Sequence, residues 1–95
     1  MIKAQVVSEI SKKTGISKAD VQLTVETLFE TIQDTMAGGE SVHFRGFGSF
    51  SNKKRAKKVA RNIAQNTALI IEERYVPSFI PAKAFLTKIK ENVKV

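Results

Sequence analysis

Apolar residues recur at helical spacing through the first forty positions. Ile2, Val6 and Ile10 stand four apart with Val7 beside them, which marks one face of an amphipathic helix. Gly15 follows Thr14, and glycine suits the left-handed terminus of such a helix. Ser17-Lys18-Ala19-Asp20 then has the form of a capping box, with Asp20 in place of the usual Glu or Gln. Val21, Val25, Leu28, Ile32 and Met36 follow at steps of four, three, four and four, and Phe29 widens the stripe. This second helix is expected to reach about Ala37 and to stop at Gly38-Gly39. With so short a turn between them, the two make a helical hairpin.

The period then changes to two. Val42 and Phe44 alternate with His43 and Arg45, as in a half-buried strand. Gly46-Phe47-Gly48 reads as a tight turn, and Ser49-Phe50-Ser51 begins a second strand. From Asn52 to Arg61 almost no large apolar residue occurs, so this stretch is expected to project into solvent. Ala68 to Ile71 recovers strand character, and Glu72 to Val76 leads back to the body. Pro77 and Pro81 bracket Ser78-Phe79-Ile80 and keep it out of a helix interior. Pro81 is expected in the first turn of a third helix through Phe85, Leu86 and Ile89.

Charge sharpens this picture. Residues 1–52 hold five basic and six acidic residues, whereas residues 53–95 hold eleven basic and three acidic. The net charge of +7 therefore comes wholly from the second part, which points to a polyanionic partner held by one region. The plain alternative is a solvated surface that keeps a small protein soluble. Ninety-five residues make one domain with a small core, for which dimerisation is a common supplement. There is no cysteine, so disulfides and thiolate chemistry are excluded. No signal peptide or membrane span is expected, and the chain reads as a soluble intracellular protein.

Catalysis finds little support. The one histidine, His43, alternates with Val42 and Phe44 and is expected to face solvent without a role. A metal site needs more His or Cys than the chain has. Gly46-Phe47-Gly48 opens like a dinucleotide fingerprint, but Ser51 stands where the third glycine belongs and a strand follows instead of a helix. Ser49 and Ser51 have no paired base close in sequence. Glu26, Glu30 and Asp34, at i, i+4 and i+8, are read as the wet face of the second helix.

The strongest signal is Lys53-Lys54-Arg55-Ala56-Lys57-Lys58-Val59-Ala60-Arg61, with six cations in nine residues. Packed so closely these repel one another unless phosphate neutralises them, and binding of that kind weakens steeply with salt. A localisation signal or a disordered tail is the alternative. The run lies mid-chain and is followed by Ala68–Ile71, however, so it reads as one limb of a β-ribbon, a known DNA reader.

These residues resemble the bacterial histone-like HU and integration host factor family. The resemblance covers about residues 1–90 without gaps. It rests on Gly46-Phe47-Gly48-Ser49-Phe50, on Arg55, on Arg61-Asn62, and on Val76-Pro77-Ser78-Phe79-Ile80-Pro81-Ala82-Lys83. It implies an α+β fold: a helical hairpin base plus a three-stranded antiparallel sheet extended into a β-ribbon arm, in an intertwined dimer. Residues 1–95 would form a single such domain, with 1–51 and 75–95 as dimer body and 52–74 as DNA-binding arm. Phe47, Phe50 and Phe79 match the family's dimer-core phenylalanines, with Phe29 and Phe44 expected beside them. In HU-like proteins a proline after Arg-Asn at the arm tip wedges between bases, as minor-groove architectural proteins do. Ile63 takes that position here; it is apolar but lacks proline's fixed φ. Asn66 sits where the family's turn has glycine, and asparagine tolerates the left-handed region.

The resemblance thus implies a non-enzymatic architectural protein that bends or compacts duplex DNA, largely without sequence specificity, from a homodimer or a heterodimer with a paralogue. DNA contacts are expected from Lys53, Lys54, Arg55, Lys57, Lys58, Arg61, Asn62, Ile63, Arg74 and Lys83, with Lys88 extending the footprint and Ile63 as the wedge. No cofactor, metal, membrane or small-molecule substrate is expected, and the setting is the cytoplasm and bacterial nucleoid. The alternatives are a site-preferring protein like integration host factor and an RNA-binding basic protein. The second lacks an aromatic stacking platform, because the phenylalanines fall at core positions.

Overall fold

In a computed structural model of the chain, every residue is described except 63, 66 and 95, and of Asn62 only the backbone. The elements run α1 (Lys3–Thr14), α2 (Lys18–Ala37), β1 (Val42–Phe44), β2 (Gly48–Arg55), β3 (Lys58–Asn62), β4 (Thr67–Ile71), β5 (Arg74–Pro81) and α3 (Lys83–Asn92). The expected α+β class and element order are both found. The chain forms two compact units, residues 1–35 and 36–95.

The first unit is the helical hairpin. Gly15 ends α1 with φ +76° and donates its N–H to the Ser11 carbonyl, the left-handed termination expected there. At the start of α1 the Gln5 side chain accepts the Ile2 N–H at 2.9 Å. Ser17 Oγ accepts the Asp20 N–H at 3.3 Å, so among the described hydrogen bonds half of the expected capping box forms. Val7, Val21 and Val25 make the core, with Ile10 packed against it. Ile2, by contrast, is 68% exposed: it lies before the first helical residue, and Val7 takes the inward position instead. Lys3 Nζ donates to Glu26 Oε1 at 2.9 Å and ties α1 to α2. That hydrogen bond, then one from Gln22, holds the Glu26 carboxyl below its usual value. Glu26 is therefore an interhelix partner as well as part of the wet face.

In the second unit β1, β2 and β5 form an antiparallel sheet in the order β1-β2-β5, and β3 pairs with β4. The Phe47 N–H donates to the Phe44 carbonyl and closes the turn between β1 and β2. Gly46 has φ +80° in that turn, a conformation that favours glycine. Gly48 is needed for space: a Cβ there would lie 2.6 Å from both the Ile80 carbonyl and the Phe79 ring. On one face Phe44, Phe47, Phe50, Phe79 and Phe85 form a chain of ring contacts, the tightest being Phe50–Phe79 at 4.8 Å between centroids.

Pro81 corrects the sequence reading. It ends β5 opposite Gly48, and α3 begins at Lys83. Ala82 is still extended (φ −69°, ψ 155°) and gives its N–H to the Phe47 carbonyl at 2.9 Å. The backbone at residue 82 is committed to the sheet, so the helix starts beyond it. The second strand begins one residue earlier than expected and carries the start of the basic run, in keeping with the ribbon reading. It begins at Gly48 and continues to Arg55, because its polar outer half still pairs along β5.

Candidate nucleic-acid interface

The basic run is built on a ribbon with one continuous register. β2 pairs with β5 from Gly48↔Pro81 to Arg55↔Arg74, and β3 pairs with β4 from Lys58↔Ile71 to Asn62↔Thr67. The ladder lapses at Ala56-Lys57 and Glu72-Glu73, two residues on each limb. Equal gaps leave the register unchanged, which brings Ala56 opposite Glu73 and Lys57 opposite Glu72. Side chains directly opposite in an antiparallel pair share a face. Lys54 and Glu73 then fall on one face, diagonally related, and their charged groups meet at 2.8 Å.

This register sorts the cations. Lys53, Arg55 and Arg74 lie on one face of β2 and β5, and Lys57 and Arg61 continue it outward. Glu72 is the one carboxylate that the register brings to this face, and the described ion pairs do not include it. Lys54 and Lys58 lie on the opposite face. Lys54 is neutralised by Glu73, and Lys58 pairs across the ladder with Ile71, two rungs from Leu69. Residues 53–74 hold seven basic and two acidic side chains, and the described ones are exposed almost throughout.

Of the expected contacts, Lys53, Arg55, Lys57, Arg61 and Arg74 are thus brought onto one face. Lys54 and Lys58 are separated from them by the pleat. Asn62 pairs its backbone with Thr67, and the expected wedge, Ile63, lies outside the described residues. Lys83 is exposed at the first turn of α3, and Lys88 lines an open recess of about 370 Å³ with Gly46, Phe47, Ala84 and Phe85.

The structure also brings together two residues that the sequence kept apart. His43 and Ser49 are direct cross-strand partners, with His43 Nδ1 and Ser49 Oγ 2.8 Å apart. A serine paired with a histidine is one part of a nucleophilic site, but both stand on an open sheet face. No third group orients the ring among the described hydrogen bonds. The six-residue separation hid this pair, since only the strand register reveals it. Among the described residues no cluster of three or more potential metal ligands occurs, and no helix is long and apolar enough to cross a membrane.

The phenylalanines expected in a dimer core remain partly open in the single chain. Phe29 is 49% exposed, Phe47 47% and Phe79 38%. In the first unit, Ile10, Ile16, Val21, Thr24, Val25 and Leu28 line an open apolar groove of about 260 Å³. Groups of this size are normally withdrawn from water.

Comparison with known proteins gives the same answer as the ribbon. The model of the family described as bacterial DNA-binding protein matches residues 1–90. The chain is 40% identical over 90 residues to DNA-binding protein HU of Thermotoga maritima, covering 95% of this chain and all of that protein. It is 34% identical over 96 residues to the integration host factor β subunit of Pseudomonas entomophila, covering 100% of this chain and 98% of that protein. The HU of an Anabaena HU–DNA cocrystal structure superposes with a TM-score of 0.87 at 28% identity, over 99% of this chain and all of that one. The chain therefore belongs to the bacterial DNA-binding protein family, the family of HU and integration host factor.

Proposed function

We propose that two copies of this chain grip duplex DNA in the minor groove with their basic ribbons and bend it, largely without reading sequence. The observation that carries this reading is the cationic face of Lys53, Arg55, Lys57, Arg61 and Arg74. The continuous register supports it, and none of Lys53, Arg55, Lys57 and Arg74 belongs to a described ion pair. Like charges set side by side cost stability in the free protein, and a phosphate backbone removes that cost. Lys54, Lys58 and Asn62 add contacts from the arm, Lys83 and Lys88 extend the footprint onto the body, and Ile63 separates a base step. Unstacking costs a few kcal/mol per step, offset by the contacts a bend permits.

Residues 1–51 and 75–95 act as the dimer body and 52–74 as the arm. A second copy covers the half-exposed phenylalanines and the apolar groove of the helical hairpin. The protein is architectural, not an enzyme, and works in the cytoplasm, on the nucleoid. Stacking of single-stranded RNA bases is disfavoured, because the five rings of the second unit are already engaged with one another.

The test is binding of a 35-base-pair duplex of random sequence by the intact protein, at 50 to 200 mM salt, against competing RNA and against DNA selected for tight binding. Duplex binding that survives excess RNA, falls steeply with salt and gains little from selection is expected. Preference for RNA would overturn the reading. Strong preference for the selected DNA would replace shape recognition with site recognition.

A further inference from the structure

We infer that His43, set on the sheet face that continues the arm's cationic stripe, is a phosphate contact of the body and makes DNA binding tighten below neutral pH. This inference rests on the DNA-binding reading above. Strand register carries it. His43 lies opposite Ser49, and Ser49 opposite Ile80. On the same face Ser51 pairs with Ser78, Lys53 with Val76 and Arg55 with Arg74. Phe44, Phe50 and Phe79 point to the other face, where the rings meet. The face bearing His43 is thus turned away from the aromatic core and runs into the cationic face of the ribbon.

The ring is held in place, because Nδ1 lies 2.8 Å from Ser49 Oγ. In an imidazolium both nitrogens donate. Nδ1–H then goes to Ser49 Oγ, which leaves Nε2–H pointing away from that contact and the serine hydroxyl proton available as a second donor. A hydroxyl beside a fixed cationic N–H is a usual way to hold a phosphate oxygen. The charged groups around the ring are few. On its own segment Glu40 precedes β1 and Arg45 follows it. β2, the strand paired with β1, presents Ser49 and Ser51, then Lys53 further along. Beyond β2, β5 presents Ile80 and Ser78. No carboxylate of these paired strands competes with phosphate for the ring.

Histidine is the side chain whose ordinary charge change falls between pH 5 and 8, and this chain has one. Each added phosphate contact steepens the logarithmic salt dependence by about 0.9, and at 0.1 M salt one contact is worth about tenfold in affinity. The experiment is titration of the intact protein with a 35-base-pair duplex at pH 5.5, 6.5 and 7.5 and at several salt concentrations, for wild type, His43→Ala and His43→Lys. Wild type is expected to bind about tenfold or more tightly at pH 5.5 than at 7.5, with a steeper salt slope. His43→Ala loses the gain on acidification, whereas His43→Lys binds tightly at every pH. Equal pH dependence in wild type and His43→Ala, or none in wild type, overturns the inference and leaves the arm reading intact. Failure of wild type to bind the duplex at pH 7.5 and low salt overturns that earlier reading instead.

Discussion

Arg55 and Arg74 stand directly opposite one another on the last rung shared by β2 and β5, and neither belongs to a described ion pair. Cross-strand cations at that spacing repel, and the ladder lapses on the next two residues of each limb. The free protein keeps this arrangement at a cost, which makes sense where a polyanion resolves it.

Converting that rung to a charge pair should therefore separate stability from function. Arg74→Glu is expected to raise unfolding stability by about 0.2–1 kcal/mol. The same change should weaken duplex binding and lower the salt slope by about two for a dimer, one contact per subunit. Denaturant unfolding and salt-dependent titration of the same variant check both halves. Tighter binding by the variant would show that Arg74 faces no phosphate.

Gly48 and Gly46 are two residues apart, yet they are required for different reasons. Gly48→Ala would drive a methyl group to 2.6 Å from the Phe79 ring and the Ile80 carbonyl, and overpacking of this kind costs about 1–3 kcal/mol. At Gly46 nothing lies within 4 Å of the added carbon, but φ is +80°, so Gly46→Ala should cost about 1–2 kcal/mol through backbone strain alone. Because Phe79 belongs to the half-exposed ring cluster, Gly48→Ala should also weaken self-association, whereas Gly46→Ala should not. Sedimentation at micromolar concentration distinguishes them.

The Lys3–Glu26 bridge gives the hairpin a pH-dependent part. The hydrogen bond from Lys3 holds the Glu26 carboxyl below its usual value in the folded state, so the unfolded chain binds that proton more readily. Its stabilisation is present above the ordinary carboxylate range and is lost as pH falls through the lowered folded value. Lys3→Met should be slightly less stable than wild type at pH 7, and the gap should close in acid. Both groups are solvent-exposed, so the effect is small, and denaturant midpoints at pH 7 and pH 3 measure it. A gap that widens in acid would contradict the assignment.

Much of the fold was legible because its cause is local. The spacing from Val21 to Met36 predicts α2 to its last residue, and Gly15 marks the end of α1. Ribbon chemistry was legible from charge density alone. What escaped was whatever depends on register between distant strands. Nothing near Lys54 in sequence says that Glu73 will neutralise it, nor does His43 announce Ser49 as its partner. Pro81 was misplaced for a related reason: its neighbour's N–H is claimed by Phe47, which a local rule for helix starts does not see.

End-to-end fluorescence transfer across a short duplex reads bending itself, for wild type and Ile63→Ala at several salt concentrations. Wild type is expected to impose a bend at low salt that is lost as salt rises and that shrinks in Ile63→Ala more than affinity does. Tight, salt-sensitive binding by wild type with no change in end-to-end distance would contradict the proposed bending and leave a protein that coats DNA without bending it.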